Sequence, residues 1–154
     1  QKHGMEVEVV PGISSALAVP ALQHIPLTKR NVSQSFCVLT ATTKEKTLSE
    51  DLIWAAQGKA TIIILMGMKK LPEILSLFKQ YRTEKEAIAI IQNGTLPNEK
   101  IVSGTLLDIE KEVQRYQITS PAIIVIGSVV GERFALSGRV LIEVGDISKI
   151  SGED

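Results

Sequence analysis

The chain has almost nothing with which to hold a soft metal ion or cross-link itself: one cysteine, Cys37, and two isolated histidines, His3 and His24, in 154 residues. A lone cysteine excludes an intramolecular disulfide, and no cysteine and histidine spacing matches a zinc site, so no metal is expected. Net charge is missing too. Seventeen Lys and Arg balance seventeen Asp and Glu, which leaves no overall field to draw in nucleic acid or an anionic membrane surface. The longest apolar run, around 62–67, is too short to span a bilayer. With no signal peptide either, the chain is expected in a reducing cytoplasm, with neither nucleic acid nor membrane as partner. No Walker A loop, GxGxxG turn, internal repeat or low-complexity segment occurs.

What is present is an ordinary globular composition, 44% hydrophobic and 22% charged. At this length one domain is expected, burying about two-thirds of the unfolded chain's surface. Apolar β-rich runs alternate with helical spacing, the pattern of an α/β layer fold. Strands are predicted at Glu6–Val10, Ser35–Thr40, Ala60–Met66, Ala87–Ile91, Lys100–Ser103 and Pro121–Gly127. Apolar residues on consecutive positions put Ala60–Met66 in the middle of the sheet, and Pro121–Gly127 is read as another central strand. One helix should follow Ser14 or Ser15, either of which can cap it, and Pro20 should kink it or end it early. A short helix is predicted around Glu50–Ala56, closing at Gly58. Leu71, Ile74, Leu75, Phe78 and Tyr81 form one helical stripe, and Leu106, Ile109, Val113 and Tyr116 another. Arg139–Val144 is a candidate extra edge strand.

Unusual residues gather at predicted strand ends: Pro11-Gly12, Met66-Gly67 and Asn93-Gly94. Open α/β sheets bind ligands at that edge. Gly94 permits positive φ and close backbone approach, while Pro97 stiffens the same loop. Asn-Gly equally suits a hairpin turn between Ala87–Ile91 and Lys100–Ser103, and both can hold at once. Met66 fits either a core gap or a ligand contact. Gly12-Ile13-Ser14-Ser15-Ala16 resembles a nucleophile elbow without its last glycine, and no acid and histidine follow in order. Its serines are therefore expected to bind, not attack. Lys29 and Arg30, after Pro26-Leu27-Thr28, are either solvated charges or a grip for a polycarboxylate at a pocket mouth.

Four separated segments occur in a familiar order: VVPGISSALAVPALQHIPLTKR (Val9–Arg30), ILMGMKKLPEI (Ile64–Ile74), IQNGTLPNEKIVSGTL (Ile91–Leu106) and SPAIIVIGSVVGER (Ser120–Arg133). Over roughly Val7–Arg133 the chain resembles the C-terminal half of the uroporphyrinogen-III C-methyltransferases, within the tetrapyrrole methylase family. The resemblance implies an α/β fold with a mixed, mostly parallel five-stranded sheet flanked by helices, the second domain of that family's two-domain architecture. It implies S-adenosylmethionine as cofactor and methylation of uroporphyrinogen III to precorrin-2, on the way to sirohaem or cobalamin, with a homodimer expected. Matched motif by motif, Ser14, Ser15, Met66, Asn93, Gly94, Pro121 and Ala122 fall on cofactor contacts. Thr28 and Arg30 fall on a motif associated with the porphyrinogen carboxylates, in which Lys29 replaces a histidine.

The family's glycine-rich loops and its acid and base residues belong to a first domain that does not occur in this sequence. The expectation is therefore a C-terminal methylase domain over 1–135 and an extension over 136–154. Its catalytic groups would lie in a missing N-terminal domain, and the chain alone would be inactive. A precorrin methyltransferase acting at another ring position, and a non-catalytic dimerisation or ligand-binding module, are the alternatives.

Overall fold

The computed structural model describes residues 4, 6–43 and 47–132. The elements follow the order α1 (Ser15–Leu22), β1 (Phe36–Thr40), α2 (Asp51–Gln57), β2 (Thr61–Leu65), α3 (Leu71–Tyr81), β3 (Ala87–Gln92), β4 (Lys100–Thr105), α4 (Ile109–Arg115) and β5 (Ala122–Ile126). A 3-10 turn, Met68–Lys70, leads into α3.

The strands form one five-stranded sheet in the order β1-β2-β5-β3-β4. It is mixed and flanked by helices, as expected, but it is not mostly parallel. Among the described strands only β1 and β2 pair in parallel, whereas β2 with β5, β5 with β3, and β3 with β4 are antiparallel. Alternating strands and helices do bring β1, β2 and β3 out in one direction, as crossover helices require. The parallel neighbours β2 and β3 are then separated by β5, which inserts between them with Ile126 opposite both Ile62 and Ile88.

Burial follows from this order. The three central strands read TIIIL, AIAIIQ and AIIVI, and nearly every residue in them is buried. Sheets covered on both faces select such β-branched runs. One face packs Ile62, Ile64, Ile88, Ile90, Ile124 and Ile126 against Leu52 of α2 and against Leu71, Ile74, Leu75 and Phe78 of α3. The other face packs Ile63, Ile91, Ile123 and Val125 under Ala16 and Val19 of α1. Burying one such side chain fully stabilises the fold by about 1.5–3 kcal/mol. Tyr81, the last residue of the predicted α3 stripe, is instead exposed, because the helix ends there and leaves the sheet.

The Glu6–Val10 run forms no strand. It has no pairing partner among the described residues, and Val7, Val9 and Val10 lie 74%, 84% and 80% exposed. Pro20 sits in the last turn of α1, which ends two residues later at Leu22, so the helix is short as expected. Gly58 caps the C-terminus of α2. Arg82 closes the gap between α2 and α3: its guanidinium donates to the Ala56 carbonyl at 3.2 Å, Ala55 at 2.9 Å and Ala60 at 3.0 Å. Burial lowers the Arg82 pKa from its ordinary value, and the neighbouring Glu86 charge opposes that shift. The candidate strand Arg139–Val144 and the extension over 136–154 lie outside the described residues. Among the described residues no helix is long and apolar enough to cross a membrane.

Candidate functional site

Strand direction decides where chemistry can collect. The C-terminal ends of β1, β2 and β3 and the N-terminal ends of β4 and β5 share one edge of the sheet. At that edge the backbone leaves its ordinary conformations. Met66 after β2 and Asn93 after β3 have φ of +55° and +53°, and Thr95 reaches +74°. Left-handed backbone is uncommon for any non-glycine residue and strained for a β-branched one.

Gly94, expected to supply a positive φ, does not need it; Asn93 and Thr95 on either side carry the left-handed turn. Glycine is required at 94 for room. A Cβ there would lie 2.5 and 2.6 Å from the two methyl groups of Val19 and 3.1 Å from its Cβ. Close approach is the reason for this glycine, but what approaches is the Val19 side chain of α1.

Hydrogen bonds fix the strand-end loops to one another. The Asn93 N–H donates to the Pro121 carbonyl at 3.0 Å, and the Gln92 side-chain oxygen accepts from the Thr119 N–H at 2.7 Å. Glu99 accepts from the Thr95 N–H at 2.7 Å and, through its other oxygen, from the Gln23 side chain at the end of α1. One carboxylate therefore closes the 93–99 loop and ties it to the helix that roofs it. This loop also joins β3 to antiparallel β4, so the hairpin and the strand-end readings both hold.

Two adjoining cavities open along this edge and share Pro121 and Ala122. The smaller, about 320 Å³, is lined by Ser15, Val19, Asn93, Gly94, Leu96 and neighbouring apolar side chains. The larger, about 620 Å³, is lined by Thr42, Met66, Met68, Lys69, Lys70 and Ser120. Among the described residues, neither lining contains a carboxylate, imidazole, thiol or phenol. A third hollow of about 360 Å³ continues past Met68, Lys69 and Ser120 toward Glu110 and Val113 of α4.

Among the sequence-predicted site residues, Ser15, Met66, Asn93, Gly94, Pro121 and Ala122 all line one or both of the first two cavities. Ser14 is the N-cap of α1, its hydroxyl accepting from the Ala16 N–H at 3.3 Å. Thr28 and Arg30 are not brought to these cavities. Arg30 is exposed in a turn closed by the Lys29–Ser33 bridge. That turn is fixed at the opposite end of the sheet, where Lys29 pairs with Glu132 after β5 and Ser33 meets Thr61 at the start of β2. The length of a five-residue strand, roughly 15 Å, separates the two ends. Sequence reasoning missed Lys69, Lys70 and Glu99. The first two follow directly from Met66-Gly67 and were legible as the continuation of a strand end, whereas Glu99 acts through a pairing that only the fold creates. Among the described residues no group of three or more His, Cys, Asp or Glu is placed to hold a metal.

Residues 1–110 match the family model described as Tetrapyrrole (Corrin/Porphyrin) Methylases. Uroporphyrinogen-III C-methyltransferase of Bacillus subtilis is 39% identical over 132 residues, covering 84% of this chain and 27% of that protein. The protein of the same name from Methanocaldococcus jannaschii is 36% identical over 132 residues, with 84% and 54% covered. A crystal structure of uroporphyrin-III C-methyltransferase from Thermus thermophilus, complexed with S-adenosylhomocysteine, superposes with a TM-score of 0.72 at 26% identity, covering 85% of this chain and 57% of that one. The chain thus spans about a quarter to just over half the length of these relatives.

Proposed function

The chain belongs to the tetrapyrrole (corrin/porphyrin) methylase family, and from that premise we propose that it forms one wall of a cleft for S-adenosylmethionine in a cytoplasmic, homodimeric enzyme that methylates uroporphyrinogen III to precorrin-2. The observation that carries this reading is the convergence of Ser15, Met66, Asn93, Gly94, Pro121 and Ala122 on one sheet edge. Bound at that edge, S-adenosylmethionine supplies an electrophilic methyl group on a sulfonium sulfur.

The residues suit that group. The Gly94 N–H and the Ser15 hydroxyl enter no hydrogen bond among the described residues and are available to polar atoms of a nucleoside or an amino acid. Val19, Leu96, Pro121 and Ala122 give apolar walls for a flat ring, the usual make-up of a small-molecule site. Ser14 contributes by holding the start of α1 in place. Transfer of a methyl group requires the accepting carbon to lie in line with the departing sulfur, so positioning carries much of the rate. A wall without acid or base groups is compatible with that division of labour. Proton-moving residues are assigned to a first methylase domain outside this sequence, and the chain alone is expected to be inactive. The exposure of Val7, Val9, Val10 and Ile13 ahead of α1, and of Leu17 on it, supports a second body that covers this segment.

Titrating S-adenosylhomocysteine into the isotope-labelled chain, followed by amide NMR, tests the reading. Shifts are expected at Ser15, Met66, Asn93, Gly94 and Ala122, with the Lys29–Ser33 turn silent. An unchanged spectrum, or shifts confined to that turn, would refute it.

A further inference from the structure

We propose that Lys69 is a substrate-reading residue of this cleft, gripping a carboxylate arm of the tetrapyrrole. This inference rests on the tetrapyrrole substrate proposed above for its ligand class and on the charge layout of the cavity for its residue. Among the described residues, the larger cavity has two cations and no anion in its lining. One of them is already neutralised, because the Lys70 ammonium lies 2.8 and 3.1 Å from the two oxygens of Glu73.

Lys69 is exposed and has no hydrogen-bond or ion-pair partner among the described residues. It lines both the larger cavity and the hollow that continues toward α4. Among the described residues, the one carboxylate in that hollow's lining is Glu110, on the α4 side. A macrocycle with an apolar face and peripheral carboxylates matches this arrangement. Its face would rest on Met68, Leu71, Pro72 and Val113 in the adjoining hollow, clear of the residues assigned to the cofactor, while one arm reaches the unneutralised ammonium. An ammonium on a four-carbon stem can follow a flexible arm without demanding a fixed bidentate geometry. Among the described residues Lys69, not Arg30, is the unpaired cation beside the apolar cavity, since Arg30 lies at the other end of the sheet.

The test is a fluorescence titration with uroporphyrin III, the stable oxidised analogue of the substrate, and a parallel titration with S-adenosylhomocysteine. Lys69→Glu is expected to weaken uroporphyrin binding about three- to tenfold, the scale of losing one exposed ion pair and adding a repulsion. Lys69→Arg is expected to bind within about twofold of the parent. Lys85→Glu, the same charge change at the far end of the sheet, should change nothing beyond a small uniform salt effect. S-adenosylhomocysteine binding is expected to be equal in all variants. No uroporphyrin binding by the parent chain, or equal losses in the Lys69→Glu and Lys85→Glu variants, would overturn the proposal. Loss of S-adenosylhomocysteine binding throughout, with the Lys69 dependence intact, would overturn the cofactor reading and leave this one standing.

Discussion

Replacing Gly94 by alanine tests whether close packing of α1 on the strand-end loop shapes the site. The added Cβ would stand 2.5–2.6 Å from both Val19 methyl groups, well inside van der Waals contact. Val19 is 4% exposed, β-branched and held among Ile63, Ile91 and Ile123, so it has no free rotamer into which to retreat. Overpacking of this kind costs about 1–3 kcal/mol, and about 2 kcal/mol is expected, or roughly 6 °C in Tm for a domain of this size. Val19→Ala alone should cost a similar amount, about 2 kcal/mol, through lost burial and the cavity it leaves. In the double variant the new methyl fills the space that Val19 vacates. Its total cost should therefore be about 2–2.5 kcal/mol, which is a coupling of about 1.5–2 kcal/mol between neighbours. Gly12→Ala is the control, because a Cβ at that position would meet nothing within 4 Å; it should fall within about 0.5 kcal/mol of the parent. Urea unfolding with an unchanged m-value is the assay. A Gly94→Ala variant as stable as the parent, or strict additivity with Val19→Ala, would refute the steric account.

Two other substitutions probe the supports of the site and the fold. Glu99→Ala removes the acceptor for Thr95 N–H and for Gln23; it should cost about 1–2 kcal/mol and speed hydrogen exchange at the Thr95 amide, whereas an unchanged exchange rate would show that the loop is held by other contacts. Arg82→Ala strips three carbonyl partners from the end of α2 and the start of β2 and should cost about 2 kcal/mol after allowance for partial exposure. Arg82→Lys should recover less than half of that loss, since an ammonium cannot reproduce the planar fork; full recovery in thermal unfolding would reduce the contact to charge alone.

Much of this was readable along the chain because local chemistry and the fold agree. Consecutive β-branched residues in Ala60–Met66 identified a central strand, Ser14 was recognisable as a cap, and Asn93-Gly94 marked a turn that is both hairpin and pocket wall. The mostly parallel sheet was not right, because alternation of strands and helices sets strand direction but says nothing of which strand inserts between two others. Glu6–Val10 has the composition of a strand, yet a strand also needs an edge to pair with. The role of Gly94 depended on Val19, far away in the chain, and that of Glu99 on Gln23, so neither could be read locally. The motif match at Arg30 carried no information on distance: the residue follows the pocket-lining helix, but by then the chain has reached the opposite end of the sheet.

β5 is the last of the described strands in the chain and the middle one in the sheet. Until it arrives, β1-β2 and β3-β4 are two separate ribbons, and Ile62 and Ile88 both wait for the same partner, Ile126. Chain order and sheet order thus make assembly a late, non-local event, the kind that slows folding. Pro121 and Ala122, which both cavities share, arrive with that strand. A chain cut short before them would keep α1 to α4 but lack the wall that both cavities share, so ligand capture doubles as a readout that β5 has taken its place in the sheet.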